Sequence, residues 1–245
     1  MIYHFDILPS TNDEAALPKY SEGDIIWADA QSAGRGQRGH SWESQRGENI
    51  TFSVVLEPIF LAATEQFLLS QVVALAIVDA LKYYGIDAKI KWTNDIYVGD
   101  KKLCGILIEH KLQGSSIART IAGIGLNVNQ MEFSDDIPNP ISIRQIKHFE
   151  MDCQEVLERV ADSIMTRYEM LRKDNAAQIR IDYHELLYRR DALHWYFLPD
   201  GRRFRGTIRG VEPSGALRIE NEKGEERSYL FKEIEFSVKN ITKLF

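Results

Sequence analysis

A chain of 245 residues, 44% hydrophobic and 27% charged, has the apolar mass for one large folded unit or one with a small appendage, and excludes a disordered or fibrous polymer. Its formal net charge of -6 at pH 7 argues against a duplex-DNA binder, whose surface carries a basic balance. Cys104 and Cys153, the two cysteines, sit in neither a C-x-x-C pair nor a Cys/His cluster, which points away from a zinc module and toward reduced thiols in the cytoplasm.

The opening Met1–Asp6 has no basic segment followed by an apolar run, so no secretory leader is expected. Tyr3–Leu8 reads as a short strand. Ser10-Thr11-Asn12-Asp13 then carries a hydroxyl with an acid three positions later, a helix start, and Pro18 closes that helix. Ile25–Ala30 and Asn49–Leu56 are β-branched enough to be strands. Between them, Gly34–Gly39 is too glycine-rich for a regular element and reads as a loop. Thr64–Tyr84 repeats Phe67, Leu68, Val72, Leu75, Val78 and Leu81 at helical spacing, with Gly85 as the stop. Its apolar stretch, Val72–Leu81, is too short to span a bilayer, so no membrane is expected.

Strands follow at Ala88–Trp92, Ile96–Val98, Leu103–His110 and Arg119–Val128, with turns at Gly99-Asp100 and Gln113-Gly114. Helices are expected over Cys153–Arg172 and Ala176–Tyr188. From His194 to Val238 the chain changes to short strands between turns at Pro199-Asp200-Gly201, Pro213-Ser214-Gly215 and Asn221–Gly224, the spacing of a small antiparallel barrel. The expected division is therefore a domain over residues 1–190 and a second over 191–245.

Four segments can carry chemistry. Gly34-Arg35-Gly36-Gln37-Arg38-Gly39-His40-Ser41-Trp42 frees its backbone and interleaves guanidinium groups, which suits phosphate or carboxylate oxygens. It lacks the order of a Rossmann fingerprint or a Walker A loop, and a solvated basic loop has the same composition. Lys91-Trp92-Thr93-Asn94-Asp95 and Lys101-Lys102-Leu103-Cys104-Gly105 place cations beside an acid at a strand end. Lys102 can neutralise charge in phosphoryl or nucleotidyl transfer and Asp95 can help hold Mg²⁺, although one carboxylate rarely makes a metal site and a surface hairpin also carries lysines. Gly123-Ile124-Gly125-Leu126-Asn127-Val128-Asn129 is a strand whose glycines admit a ligand or another backbone, ending in amides that can equally cap a turn. Ser10, Thr11 and Asn12 with Gln31 offer neutral hydrogen bonds for an uncharged polar group. No serine–histidine–acid order or zinc spacing appears among the six histidines.

Taken in order, these segments resemble biotin–protein ligases. The matching pieces are Ser10-Thr11-Asn12, Gln31, Gly34–Trp42, Lys91–Tyr97, Lys101–Leu107 with Glu109, Gly123–Asn129 and the C-terminal Gly206–Leu217. The resemblance implies an α+β fold: a mixed sheet flanked by helices, like the class II synthetase and biotin ligase catalytic domain, with a small C-terminal SH3-like β-barrel. It implies that biotin and MgATP give biotinyl-5′-AMP, and that a lysine of a biotin carboxyl carrier protein, as in acetyl-CoA carboxylase, then takes the biotin and releases AMP. By motif position, Ser10, Thr11, Asn12 and Gln31 hold the ring end of biotin. Arg35, Gly36 and Gln37 close over its carboxyl and the phosphate. Lys102 and Arg35 are the catalytic cations. Arg38, Trp42, Asn94 and Asn127 bind the nucleotide, and Asp95 the metal.

Gln37 and His40 stand where several relatives have arginine, and Thr93 where proline is common. Fewer fixed cations should hold the adenylate less tightly. The chain starts at the catalytic segments without the helix-turn-helix of the repressor branch, so no nucleic-acid partner is expected. Pairing through a sheet edge would make a homodimer. The competing readings are a lipoate–protein ligase and a non-catalytic binding module; the latter needs no phosphate cations.

Overall fold

The computed structural model describes residues 1–37 and 41–236. Its frame is a seven-stranded sheet in the order β1-β2-β3-β7-β6-β5-β4. The strands are β1 (Ile2–Leu8), β2 (Ile25–Gln31), β3 (Ile50–Leu56), β4 (Lys89–Lys91), β5 (Asp95–Val98), β6 (Lys101–Gln113) and β7 (Ser116–Leu126). β1 runs parallel to β2 and the other pairs are antiparallel, so the sheet is mixed. The expected α+β class with a helix-flanked mixed sheet holds.

Helix α1 (Thr11–Ala15) lies against β2, β3 and β7. Ser10 caps it with an extended backbone and accepts from Asp13 N at 3.4 Å. Pro18 has no N–H to continue the helix, which stops at Ala15. Helix α2 (Phe67–Tyr83) packs with α4 (Cys153–Arg172) and α5 (Ala176–Glu185). A separate 3₁₀ turn over Ala63–Glu65 precedes α2, where a continuous helix from Thr64 was expected. The 63–83 segment is long and apolar enough to cross a membrane by length and composition, but 67% of its most apolar 18-residue stretch is buried within the protein. Apolar on nearly every side, α2 is the core helix, enclosed by the sheet and its helical neighbours.

Several boundaries differ from the sequence reading for reasons of context. β6 and β7 extend beyond Leu103–His110 and Arg119–Val128 at the hairpin end, because ladder hydrogen bonds carry exposed Lys111 and Gln113 as readily as apolar residues. α5 stops at Glu185 rather than Tyr188. Ile90 N donates to Leu186 O and Tyr188 N to Ile90 O, both at 2.8 Å, so the short edge strand β4 captures residues 186–188. Helix α3 (Ile143–Lys147) was not anticipated, although its capping box, Ser142 with Gln145, stands in the sequence as S-x-x-Q.

After α5 the chain forms a five-stranded antiparallel sheet ordered β11-β10-β9-β8-β12, with β8 (Leu193–Phe197), β9 (Arg203–Val211), β10 (Leu217–Asn221), β11 (Glu226–Tyr229) and β12 (Glu235–Phe236). It fits an SH3-like domain; the Val238 end of the expected barrel lies outside the described residues. Trp92 Nε1 donates to Gly215 O at 2.9 Å, and Phe67 packs on the same turn, so this sheet sits against the end of the large one where β4 and β5 meet.

Candidate active site

One cavity of about 840 Å³ opens on the α1 face of the sheet. Every expected site residue except one lines it: Ser10, Thr11, Asn12, Gln31, Arg35, Gly36, Gln37, Trp42, Asn94, Asp95, Lys102 and Asn127. The exception, Arg38, lies outside the described residues, as does His40.

At one end of the cavity the polar groups are neutral and already ordered. Thr11 N donates to Gln31 Oε1 at 2.7 Å, and Thr11 Oγ1 to the same oxygen at 3.2 Å. Ser53 Oγ donates to Asn12 Oδ1 at 2.6 Å and lies 2.8 Å from Thr11 Oγ1. Asn12 Nδ2 donates to Glu109 Oε2 at 2.7 Å. Ser10, Thr11, Asn12 and Ser53 are all buried, so each would be costly unpaired and each has a partner. Ser53 was missed in the sequence. Its only signal is a hydroxyl within the mostly apolar run of β3, which also carries Thr51. Glu109 was read as part of a motif without a function; here it joins Asn12 to Arg35.

Two glycines of β7 make the floor. A Cβ on Gly123 would lie 2.2 Å from Asn12 Oδ1, and one on Gly125 would lie 2.2 Å from the Trp42 indole. The cavity therefore has its shape because these positions carry no side chain. The indole N–H of Trp42 is buried without a hydrogen-bond partner.

The cations stand at two places. Lys102 Nζ is 2.8 Å from Asp95 Oδ1 and 5.7 Å from the Trp42 ring centroid. Arg35 Nη2 is 2.6 Å from Asp13 Oδ1 and 3.1 Å from Glu109 Oε2. Arg35 and its two partners are all substantially exposed, so these pairs are worth about 0–1 kcal/mol each, and a multiply charged phosphate can displace them. Asn94 Nδ2 donates to Ile106 O and Asn127 Nδ2 to Ile141 O at 3.0 Å. Both amides thus also fix the cavity wall.

Lys102 is held from behind by a segment that sequence reasoning passed over. Its backbone N–H donates to Asn139 O at 2.8 Å, and Ile141 N donates to its carbonyl at 3.0 Å. Phe133 and the 136–140 stretch line the cavity beside it, as do Phe231 and Phe236 of the second sheet. These contacts join residues far apart in the chain, with no local motif to mark them. Among the described residues no group of three or more His, Cys, Asp or Glu is placed to hold a metal. Burial pushes the Cys104 thiol up, so it is no nucleophile at neutral pH.

Residues 5–128 match the Biotin/lipoate A/B protein ligase family. The bifunctional ligase/repressor BirA of Bacillus subtilis is 32% identical over 94% of this chain and 72% of its own length. A biotin–[acetyl-CoA-carboxylase] ligase of Paracoccus denitrificans is 40% identical over 49% of this chain and 51% of its own. Among solved structures, the biotin protein ligase of Aquifex aeolicus in complex with biotin and ATP superposes with a TM-score of 0.82 at 25% identity, covering 96% of this chain and 99% of that one. A cavity with neutral hydrogen-bonding groups, a glycine floor and two acid-held cations, in a chain with these relatives, leads to one assignment: the chain belongs to the biotin/lipoate A/B protein ligase family, on its biotin–protein ligase branch.

Proposed function

We propose that this ligase joins biotin to ATP as biotinyl-5′-AMP and then transfers the biotinyl group to a lysine of a biotin carboxyl carrier domain. The observation that carries the reading is a single cavity lined both by uncharged hydrogen-bonding groups, those of Thr11, Asn12 and Gln31, and by the cations Lys102 and Arg35. Biotin has the matching polarity: a neutral ureido ring, an apolar tail and a terminal carboxylate. Thr11, Asn12 and Gln31, capped by Ser10, receive the ring. The tail crosses the floor of Gly123 and Gly125 under Trp42.

In the first step a carboxylate oxygen attacks the α-phosphorus and pyrophosphate leaves. Positioning and charge neutralisation do most of this work. Lys102 exchanges Asp95 for the α-phosphate and carboxylate oxygens, and Arg35 swings from Asp13 and Glu109 to the same crowded anion. With Arg35, Gly36 and Gln37 close over it, which keeps water from the mixed anhydride. Trp42, Asn94 and Asn127 border the nucleotide. In the second step the neutral ε-amine of the carrier lysine attacks the carbonyl, AMP departs with the bonding pair, and the amine gives up a proton.

Mg²⁺ fits this site as a companion of the nucleotide. Asp95 supplies one carboxylate, and Mg²⁺ typically takes one or two carboxylates plus substrate phosphates. It would neutralise charge on the leaving pyrophosphate. The same reading takes residues 1–190 as the catalytic unit and 191–245 as a second domain, with a cytoplasmic ligase acting on a protein carrier as monomer or homodimer.

A streptavidin blot of a carrier domain incubated with the protein, biotin and MgATP tests the proposal. The parent labels strongly and Lys102→Ala nearly loses labelling. Undiminished labelling by Lys102→Ala overturns that lysine's function. Labelling with lipoate in place of biotin moves the substrate to the family's other branch.

A further inference from the structure

One face of β7 presents Arg119, Ile121, Gly123 and Gly125 at alternate positions, and helix α1 lies across it. The Arg119 guanidinium donates through Nη2 to Tyr20 O at 2.8 Å, Ala15 O at 3.2 Å and Leu17 O at 3.4 Å. These carbonyls belong to the C-terminal end of α1 and the loop that follows. Ile121 packs in the small apolar cluster of Leu8, Ala15 and Tyr20. Gly123 then leaves space for Asn12 alone.

A helix of five residues has almost no stability of its own, so its position is set by the contacts along its length and by what holds its ends. Ser10 serves the N-terminal end. At the C-terminal end α1 has no basic residue in its last turn, and the cation comes from Arg119, about a hundred residues later in the chain. The Arg119 side chain is only 16% exposed, and its ion pair with Glu57 is long at 3.8 Å, so the carbonyls are its principal partners.

We infer that Arg119 is a positioning residue for biotin recognition: by capping α1 from the neighbouring strand it fixes the placement of Thr11 and Asn12, and hence affinity for the ring end of the substrate. This rests on the proposed function, in which α1 meets biotin at the end remote from the reacting carboxylate. Losing such a contact weakens ground state and transition state alike, which raises KM and spares kcat.

The test is pyrophosphate release by parent, Arg119→Gln, Arg119→Lys, Asn12→Ala and Asn12→Ala/Arg119→Gln enzymes. Arg119→Gln is expected to raise the KM for biotin about tenfold, with kcat and the KM for ATP unchanged within about twofold. Arg119→Lys, able to reach one carbonyl, falls between. In the Asn12→Ala background Arg119→Gln adds less than about threefold, because the group it positions is gone. Should Arg119→Gln fail to fold, Arg119→Lys decides by the same KM ratio. An unchanged biotin KM, a rise shared equally by ATP, or full additivity with Asn12→Ala overturns the inference. A parent enzyme that releases no pyrophosphate with biotin instead overturns the proposed function.

Discussion

Adding one methyl group at Gly123 disturbs the biotin end of the cavity and leaves Lys102 and Asp95 untouched. The new Cβ would lie 2.2 Å from Asn12 Oδ1 and 2.9 Å from its Cγ. Carbon and oxygen settle at about 3.3 Å, so Asn12 must retreat by about 1 Å. Its 2.6 Å bond from Ser53 and its 2.7 Å bond to Glu109 then both lengthen past useful geometry. A buried hydrogen bond lost to the ligand costs about 1–3 kcal/mol, and 2 kcal/mol corresponds to a rise of about 30-fold in KM. Gly123→Ala should therefore raise the KM for biotin about 30-fold. kcat should change less than threefold, because Lys102 and Asp95 lie outside the contact and Arg35 keeps its pair with Asp13. The assay is initial-rate pyrophosphate release against biotin at saturating ATP, with far-UV circular dichroism to confirm the fold. A biotin KM within about threefold of the parent, or a loss falling wholly on kcat, would show that Asn12 and its glycine backing do not set recognition.

Three further outcomes follow from the same structure. Gln37→Arg should slow release of biotinyl-5′-AMP by adding a cation to the covering loop, measured by rapid dilution of preloaded enzyme; equal dissociation rates refute it. Chelation of Mg²⁺ by EDTA should abolish pyrophosphate release yet leave biotin binding without ATP unchanged by calorimetry, since the described residues offer the ion no site of their own; weakened biotin binding would point to a resident metal. Burial holds the His110 ring below the ordinary histidine value and does the same at His194, where Arg189 adds to it. The unfolded chain then takes up protons first. Stability is complete above about pH 6.5 and declines as the pH falls through that value toward the folded-state pKa. Urea midpoints at pH 7.5, 6.5 and 5.5 should decrease, less steeply for His110→Asn; an unaltered slope refutes the assignment.

The sequence alone determined the elements and the chemistry-bearing segments, because both depend on local rules. Helical spacing marked α2, a capping residue marked α1, and glycine and turn residues separated the strands of both sheets. The ordered motifs Ser10–Asn12, Gly34–Trp42, Lys91–Asp95, Lys101–Leu107 and Gly123–Asn129 identified the ligase branch and supplied more than half of the residues lining the cavity. Only the tertiary structure decided which groups complete the site. Ser53, Asp13, Glu109 and the 136–140 segment meet it through contacts tens of residues apart, and β4 ended α5 early by pairing with residues 186–188. Those choices depend on register and crossing between strands, set by the shared core and the seven-stranded order, and no local pattern of residues encodes such a long-range geometry.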